Sequence, residues 1–271
     1  MSFSIKQLET QERKITQKLE NFAVLEFTQE QSVSPMNAST YYYMNKMGLR
    51  KKQLIIQVSN EHSVILQAGA MQWIAGNVQS TTGLKGVGDL FGKVVKGAVT
   101  KESAIKPEYV GSGVVALEPT YKYIILQDVA EWGSRGMAVE DGMFLACDSS
   151  VEQKINARTN ISSALLGNEG LFNLALRGQG IVALESNVPY SELIEVELNN
   201  DILKIDGSNA IAWSADLDFT VERSSKTLIG SMVNSEGLVN VFRGTGKVLM
   251  SPITAQTSSF LNVATNAVKG K

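Results

Sequence analysis

Strict alternation of apolar and polar residues is the clearest pattern in the chain. It occurs over residues 193–198 and 217–222, where the apolar side chains take one face and the polar ones the other. The inward positions are Ile194, Val196 and Leu198 in the first segment and Leu217, Phe219 and Val221 in the second. A period of two is typical of half-buried antiparallel strands, and frequent glycine and asparagine turns are typical of short ones. The pattern predicts an all-β protein.

The N-terminal region has a different pattern. Residues 4–22 carry apolar side chains at interrupted helical spacing among lysines, glutamates and glutamines: Ile5, Leu8, Ile15, Leu19 and Phe22. This spacing predicts a short amphipathic helix. A strand is predicted over residues 22–27 and a loop over 32–37. We therefore expect an N-terminal extension over residues 1–53, with a short helix, a strand and a loop. A β domain over 54–253 and a C-terminal tail over 254–271 follow it.

A period of 67 residues organises the β domain. Residues 169–180 begin Glu-Gly-Leu-Phe-Asn and end Arg-Gly-Gln-Gly, and residues 236–246 begin Glu-Gly-Leu-Val-Asn and end Arg-Gly-Thr-Gly. A weaker copy covers residues 102–113 and ends Gly-Ser-Gly. We interpret the three Gly-x-Gly pairs as turns. Three copies predict one domain with pseudo-threefold symmetry. Its units are about 54–120, 121–187 and 188–253.

The scarcity of histidine and cysteine excludes several chemistries. The chain has 271 residues, a formal net charge of −2 and 44% hydrophobic residues, but His62 is its only histidine and Cys147 its only cysteine. One cysteine forms no internal disulfide, and Ser-His-Asp or Cys-His catalysis would require His62. We expect His62 in an exposed turn and Cys147 buried in a strand. No hydrolase, redox or metal-binding motif is present. We therefore expect no cofactor and no enzymatic activity.

Charge is segregated along the chain. Residues 83–106 carry five bases and two acids, whereas residues 131–201 carry eleven acids and four bases. The glycine-rich insert over 83–99 matches neither the Gly-x-Gly-x-x-Gly pattern of dinucleotide-binding proteins nor the phosphate-binding loop of nucleotide-hydrolysing proteins. It predicts either a loop or short helix that covers one face, or a contact surface for a partner or an anionic membrane. The contact residues would be Leu90, Phe91, Lys93, Val94 and Lys96.

Two further groups of residues are candidates for binding. Lys46 and residues 50–52 are basic and lie beside Tyr41-Tyr-Tyr43, so they form either a structural face or a site for nucleic-acid bases. The chain's pI of about 5.6 argues against nucleic acid. In the repeat, Glu102, Glu169 and Glu236 occupy equivalent positions. They would either converge as a carboxylate ring that binds a cation, or cap local turns and pair with nearby bases.

Several motifs resemble one known family. They are residues 63–71, the glycine-rich insert, Lys101-Glu-Ser103, residues 141–146 and the two Glu-Gly-Leu segments. Over about residues 54–253 the chain resembles the altered-inheritance-of-mitochondria protein 24 family. The resemblance implies three β-sandwich units of double-stranded β-helix type around a pseudo-threefold axis, similar to tryptophan RNA-binding attenuation protein. It implies no catalytic residues.

The sequence favours a binding role over catalysis. We expect a non-enzymatic β scaffold for self-association, as a homo-oligomer, or for contact with a protein partner or a membrane surface. The alternative is a module that binds a small ligand or RNA, and an enzyme is a third, weaker option. No secretory signal or membrane-spanning segment is predicted, so a cytoplasmic location is expected, with peripheral membrane contact left open.

Overall fold

The computed structural model describes residues 3–81, 106–157, 172–206, 209–223 and 238–253. These residues are mostly β-strand and form two compact units, each built on one antiparallel sheet. The all-β prediction is confirmed. The division into three related units stays a prediction, as do the domain boundaries.

The first unit draws its described residues from 1–128, 144–151 and 179–186. Its strands are β1 (Arg13–Leu19), β2 (Phe22–Phe27), β3 (Lys52–Val58), β4 (Val64–Leu66), β5 (Met71–Thr81), β6 (Glu108–Leu117), β7 (Tyr123–Asp128), β9 (Phe144–Asp148) and β12 (Ile181–Ser186). The sheet order is β1-β2-β3-β6-β4-β9-β12-β7, with β5 paired to β6. The terminal strands β1 and β7 approach each other, so this sheet is nearly closed.

The second unit draws its described residues from 129–143, 152–178 and 187–253. Its strands are β8 (Met137–Val139), β10 (Glu152–Ala157), β11 (Phe172–Arg177), β13 (Ile194–Asp206), β14 (Ala210–Ser214), β15 (Asp218–Arg223) and β16 (Leu238–Met250). Their order is β10-β11-β8-β14-β16-β13, with β15 also paired to β16. The core holds three aromatic rings, Trp213, Phe219 and Phe242, with centroids 5.0–5.4 Å apart.

Both faces of the first sheet are apolar near β3. Leu54 and Ile56 lie in the main core, whereas Ile55, which points the opposite way, packs with Leu25 under the N-terminal segment. Each fully buried aliphatic side chain of this kind contributes about 1.5–3 kcal/mol. Strand β2 spans residues 22–27 as predicted, and its pairing with β3 places it in the same sheet as the β domain.

The predicted helix over residues 4–22 is wrong. Residues 13–19 form β1, which a two-residue turn with Glu20 at φ 48° joins to β2. A bulge between Ile15 and Gln17 changes the face of the strand, so Ile15 packs on one side of the sheet and Leu19 on the other. Because a bulge interrupts the period of two, the strand signal is hidden in the sequence. The helix of this region instead covers Ala38–Lys46, and the predicted loop contains a short 3-10 turn, Pro35–Asn37.

The interpretation of the Gly-x-Gly pairs as turns is correct for one pair of three. Gly178 and Gly180 lie in the turn between β11 and β12, but Gly111-Ser-Gly113 is inside β6 and Gly244-Thr-Gly246 inside β16. At Gly113 a Cβ atom would collide with the backbone oxygen of Ala75 in the paired strand β5. Close approach of two backbones therefore explains glycine at this strand position.

Candidate interaction surface

Residues 28–51, here called the arm, connect β2 to β3 at one end of the first sheet. The two strands pair directly, so the arm is an extension of a β-hairpin. It carries the 3-10 turn and the helix α1 (Ala38–Lys46). The Ser34 hydroxyl accepts a hydrogen bond from the Met36 amide at 3.3 Å, and Gly48 ends the helix at φ 79°. A hydroxyl cap before a proline, and a glycine just after the helix, are ordinary start and stop signals.

One side of α1 fixes the helix to the rest of the first unit. The Tyr41 ring lies 6.0 Å from the Tyr121 ring, and the Asn45 side-chain amide donates to the Thr28 carbonyl at 2.8 Å. Tyr41, Met44 and Asn45 are half-buried. Their spacing of three and four residues is that of one helix face. The arm is therefore held in place by specific contacts of α1.

The other side of α1 exposes large apolar side chains. Met36 is 90% exposed, Met47 78%, Tyr43 67% and Tyr42 57%. Tyr43 and Met47 are four residues apart, the spacing of one helix face, and Met36 lies in the 3-10 turn just before α1. We call these three side chains the exposed row. In the described part of the chain ten large hydrophobic side chains are exposed, and four of them lie within residues 36–47. Clustered exposed apolar residues mark an interaction surface, whereas scattered ones are ordinary.

Glu30 anchors the base of the arm. Its carboxylate lies 2.6 Å from the Lys51 ammonium and accepts hydrogen bonds from the Tyr121 hydroxyl at 2.9 and 3.0 Å. The Lys51 ammonium also lies 5.3 Å from the centre of the Tyr121 ring. Burial of the phenol, reinforced by its hydrogen bond to Glu30, raises the pKa of Tyr121 above its ordinary value. The hydroxyl therefore stays protonated and donates to Glu30 throughout the neutral range.

A second ionic group lies where the arm meets β3. Arg50 contacts the Glu26 carboxylate at 3.1 Å, and the Lys52 ammonium lies 3.9 Å from the same carboxylate and 4.3 Å from the centre of the Tyr123 ring. Burial lowers the pKa of Lys52, and Glu26 opposes that shift. These bases anchor the arm to its own unit, which fits the structural interpretation of the basic cluster. Lys46, by contrast, is exposed and lies 5.4 Å from the centre of the Tyr42 ring.

Beyond Glu30 at its base, the arm carries only positive charge. Residues 31–51 contain Lys46, Arg50 and Lys51 and no acidic residue. Since Arg50 and Lys51 are paired with Glu26 and Glu30, Lys46 is the base that adds positive charge to the exposed apolar row. The surface is thus a mixture of methionine, tyrosine and one lysine.

The other candidate residues have separate outcomes. His62 is exposed in a turn and Cys147 is fully buried in β9, as predicted. The carboxylate-ring residues Glu102, Glu169 and Glu236 lie outside the described residues, as do the proposed contact residues Leu90, Phe91, Lys93, Val94 and Lys96. Within the described ranges, no cluster of three or more histidine, cysteine or carboxylate side chains has the geometry of a metal site. None of the helices described there is long and apolar enough to cross a membrane.

Three polar side chains beside His62, those of Ser63, Glu108 and Ser149, bind one another and have a structural role. The Ser63 hydroxyl donates to Glu108 at 2.8 Å and lies 2.6 Å from the Ser149 hydroxyl. The hydrogen bonds of His62 run through its backbone, to the hydroxyl and carbonyl oxygens of Ser59. A serine nucleophile needs a base aligned on its hydroxyl, and here the imidazole does not supply one. The group instead joins β4 to its neighbouring strands.

Sequence reasoning identified the tyrosines and bases of the arm but missed Met36 and Met47. Two signals were available: the spacing of seven and four residues between Met36, Tyr43 and Met47, and the absence of acids over residues 31–51. The helix was predicted over residues 4–22 and a loop over 32–37, so no helix was predicted at 38–46. Without a helix at 38–46, Tyr43 and Met47 have no common face.

A family model described as Mitochondrial biogenesis AIM24 matches residues 45–253. The chain belongs to this family. An uncharacterised protein of Streptococcus pyogenes serotype M6 is 30% identical over 211 residues, which cover 74% of this chain and 82% of the relative. A crystal structure of a Streptococcus pyogenes protein from a structural genomics consortium matches 78% of this chain and 92% of its own, with a TM-score of 0.56 and 25% identity. The resemblance drawn from the sequence motifs is confirmed.

The family match begins within α1. Strands β1 and β2 and the exposed residues Met36, Tyr42 and Tyr43 therefore precede the matched range, whereas Met47 falls inside it. The arm joins a segment outside the match to the shared β framework.

Proposed function

We propose that this chain is a non-enzymatic β scaffold that works by binding another protein surface through the arm. The observation that carries the proposal is the orientation of α1. Its inner face is fixed by Tyr41 and Asn45, while Tyr43 on its other face, and Met36 and Met47 at its two ends, are exposed. Tyrosine and methionine are enriched in protein interfaces.

The energetics of α1 support a covered outer face. The helix has nine residues and none of them is buried. Isolated helices of this length are marginal in water, so packing must supply their stability. The contacts of Tyr41 and Asn45 supply part of it. A partner on the outer face would bury up to four further large side chains and complete the packing.

The non-enzymatic part of the proposal rests on side-chain chemistry. His62 is exposed and hydrogen-bonded through its backbone, and Cys147 is fully buried. The RNA-binding alternative is not carried forward, because the bases beside the tyrosines are mostly engaged with Glu26 and Glu30. We retain a cytoplasmic location as part of the proposal.

The proposed fold keeps three related units. In its support, Gly111 and Gly244, which end two copies of the 67-residue period, both lie inside long strands at φ 123° and 119°. Gly180 and Gly246, which also match in the period, have φ values of 139° and 156°, but their counterpart Gly113 is not among the glycines with positive φ. The unusual backbone conformation is therefore shared by most, not all, of the glycines that match in the period.

The native mass of the chain in its own cells tests the proposed function. We expect the tagged chain, expressed at its natural level, to elute in an assembly larger than its own 29.4 kDa. The double variant Tyr43→Ser/Met47→Ser should shift to the monomer position, whereas the control Met71→Ser, at another exposed methionine, should not. Elution of the wild type as a monomer, or of the double variant in the same assembly, would contradict the proposal.

A further inference from the structure

A second exposed surface lies in the other unit and has the opposite charge. Tyr190 is 49% exposed and begins a 3-10 turn, and Ile194, which is 43% exposed, begins β13 just after that turn. The prediction that Ile194 faces inward is wrong: it is the first residue of β13 and its side chain is exposed. The Lys247 ammonium lies 3.8 Å from Glu195 and 4.6 Å from the centre of the Trp132 ring, which brings Glu131, next to Trp132 in the chain, into the same region. Burial of the Tyr190 ring, with the negative charges of Glu195 and Glu131, raises the pKa of Tyr190. We call Glu131, Tyr190, Glu192, Ile194 and Glu195 the acidic patch.

The acidic patch keeps a net negative charge. Glu131 and Glu192 are exposed. Glu195 is paired with Lys247. Lys247 therefore offsets one of the three acids of the patch, Glu195, and the patch also contains two exposed apolar side chains.

The backbone near the acidic patch disfavours simple addition of another strand. In the described sheet β13 pairs with β16 and forms the edge. Its register shifts between Leu198 and Asp201, where Asn200 has φ 52°. A bulge twists an edge and limits pairing with a further strand. A docked helix needs no such backbone register, so the acidic patch suits a helix better than a strand.

The arm and the acidic patch are complementary in charge and in apolar content. The arm has an exposed row of methionine and tyrosine, one exposed lysine and no acid over residues 31–51. The acidic patch has an exposed tyrosine and isoleucine among three acids. We propose that the arm of one copy docks on the acidic patch of a second copy of this chain. This inference rests on the proposed function and names its partner.

Such a contact is heterologous. Each copy carries one arm and one acidic patch, so association continues head to tail until a ring closes or a filament grows. The apolar row supplies most of the binding free energy, and Lys46 opposite the glutamates sets the orientation and the rate of encounter. Because exposed charges are screened by salt, association should weaken as ionic strength rises.

Sedimentation velocity of purified full-length variants tests this contact. The arm variant is Tyr43→Ser/Met47→Ser, and the patch variant is Tyr190→Ser/Glu192→Lys. All four residues are at least 49% exposed or lie in an exposed turn, so both variants should keep the wild-type circular dichroism. The wild type should form larger species as its concentration rises. Each variant alone should stay monomeric, and Met71→Ser should behave like the wild type.

Mixing the two variants gives the decisive result. The arm variant retains an intact acidic patch and the patch variant retains an intact arm, so an equimolar mixture should form a dimer and nothing larger. A monomeric wild type, continued association of either variant alone, or a mixture that stays monomeric would overturn the inference. Binding of a monomeric wild type to phosphatidylglycerol vesicles would overturn it in favour of a membrane surface. If the mixture fails while the in-cell assembly still requires Tyr43 and Met47, the proposed function stands with a different partner.

Discussion

Tyr121 is the residue that connects the arm to the first sheet through a single hydroxyl group. It donates to both oxygens of Glu30, which also binds Lys51, and its ring supports Tyr41 of α1. A hydrogen bond to a charged acceptor is worth about 1.5–3 kcal/mol when well shielded, and less where water has access.

Replacing Tyr121 by phenylalanine removes this hydrogen bond and keeps the ring. We expect Tyr121→Phe to lower the free energy of unfolding by about 1–2 kcal/mol at neutral pH, measured by denaturant titration. Tyr42→Phe is the matched control, since Tyr42 is 57% exposed, and it should leave the stability unchanged. An unaltered stability of Tyr121→Phe would show that Glu30 is satisfied without the phenol.

The raised pKa of Tyr121 also predicts the behaviour of the protein in alkali. The ordinary tyrosine value is 10.0, and the folded protein holds the pKa of Tyr121 above it. The stabilisation is therefore fully present below about pH 10 and is lost as the pH rises towards the folded value. The lowered pKa of Lys52 acts in the opposite sense, because its cost to folding is relieved as the pH rises towards 10.5.

Comparison of two proteins separates these opposite effects. The difference in unfolding free energy between the wild type and Tyr121→Phe should be smaller at about pH 11 than at about pH 9. Lys52 is common to both proteins and cancels in the difference. A difference that stays constant or grows over this range would contradict the assignment of the pKa shift to the folded state.

At the scale of elements, α1 is fixed on one face only. Tyr41→Ser should release the helix from Tyr121 and speed hydrogen exchange of the amides in residues 38–46 several-fold, with little change in the exchange of β2 and β3. Tyr43→Ser changes the outward face and should leave the hydrogen exchange of these amides unaltered in the monomeric chain. Equal acceleration by both substitutions would mean that α1 has no preferred inner face.

The β5–β6 hairpin depends on close contact between its two backbones. Gly113→Ala should destabilise the protein by about 3 kcal/mol, because the new methyl group meets the Ala75 carbonyl. Gly69→Ala is the control: its φ is 78° and its Cβ would meet open space, so only backbone strain of about 1 kcal/mol is expected. Thermal unfolding of both variants measures the comparison. Equal losses would contradict the steric explanation.

Strands were predicted correctly where alternation was uninterrupted, although Ile194 in the segment 193–198 is exposed and not inward. Residues 217–222 correspond to β15, with Leu217 buried and Phe219 in the aromatic core. The prediction failed at β1, where the bulge after Ile15 moves Leu19 to the other side of the sheet. A local pattern contains no information about a partner strand, and pairing with β2 decides the structure there. The exposed row of the arm was missed for the same reason, because it depends on a helix held by Tyr121.

At the scale of the whole molecule, the order of the motifs identified the family. The composition, with one histidine and one cysteine, excluded several classes of catalytic chemistry. The AIM24 family match over residues 45–253 confirms the resemblance, and the described residues confirm an all-β chain. The docking surface did not follow from either source. It arises because the connection between two paired strands, β2 and β3, folds into a helix that is anchored on one side. Charge contrast between the arm and the acidic patch then suggests what binds it.

The proposed function requires another protein surface to cover the arm in the cell. Photo-crosslinking detects such a surface, with a photoreactive amino acid placed at position 43 or 47, and at position 71 as the exposed control. We expect one discrete crosslinked species of defined mass from positions 43 and 47, and little product from position 71. Crosslinking at 43 and 47 that does not exceed the product from position 71 would contradict the proposed function.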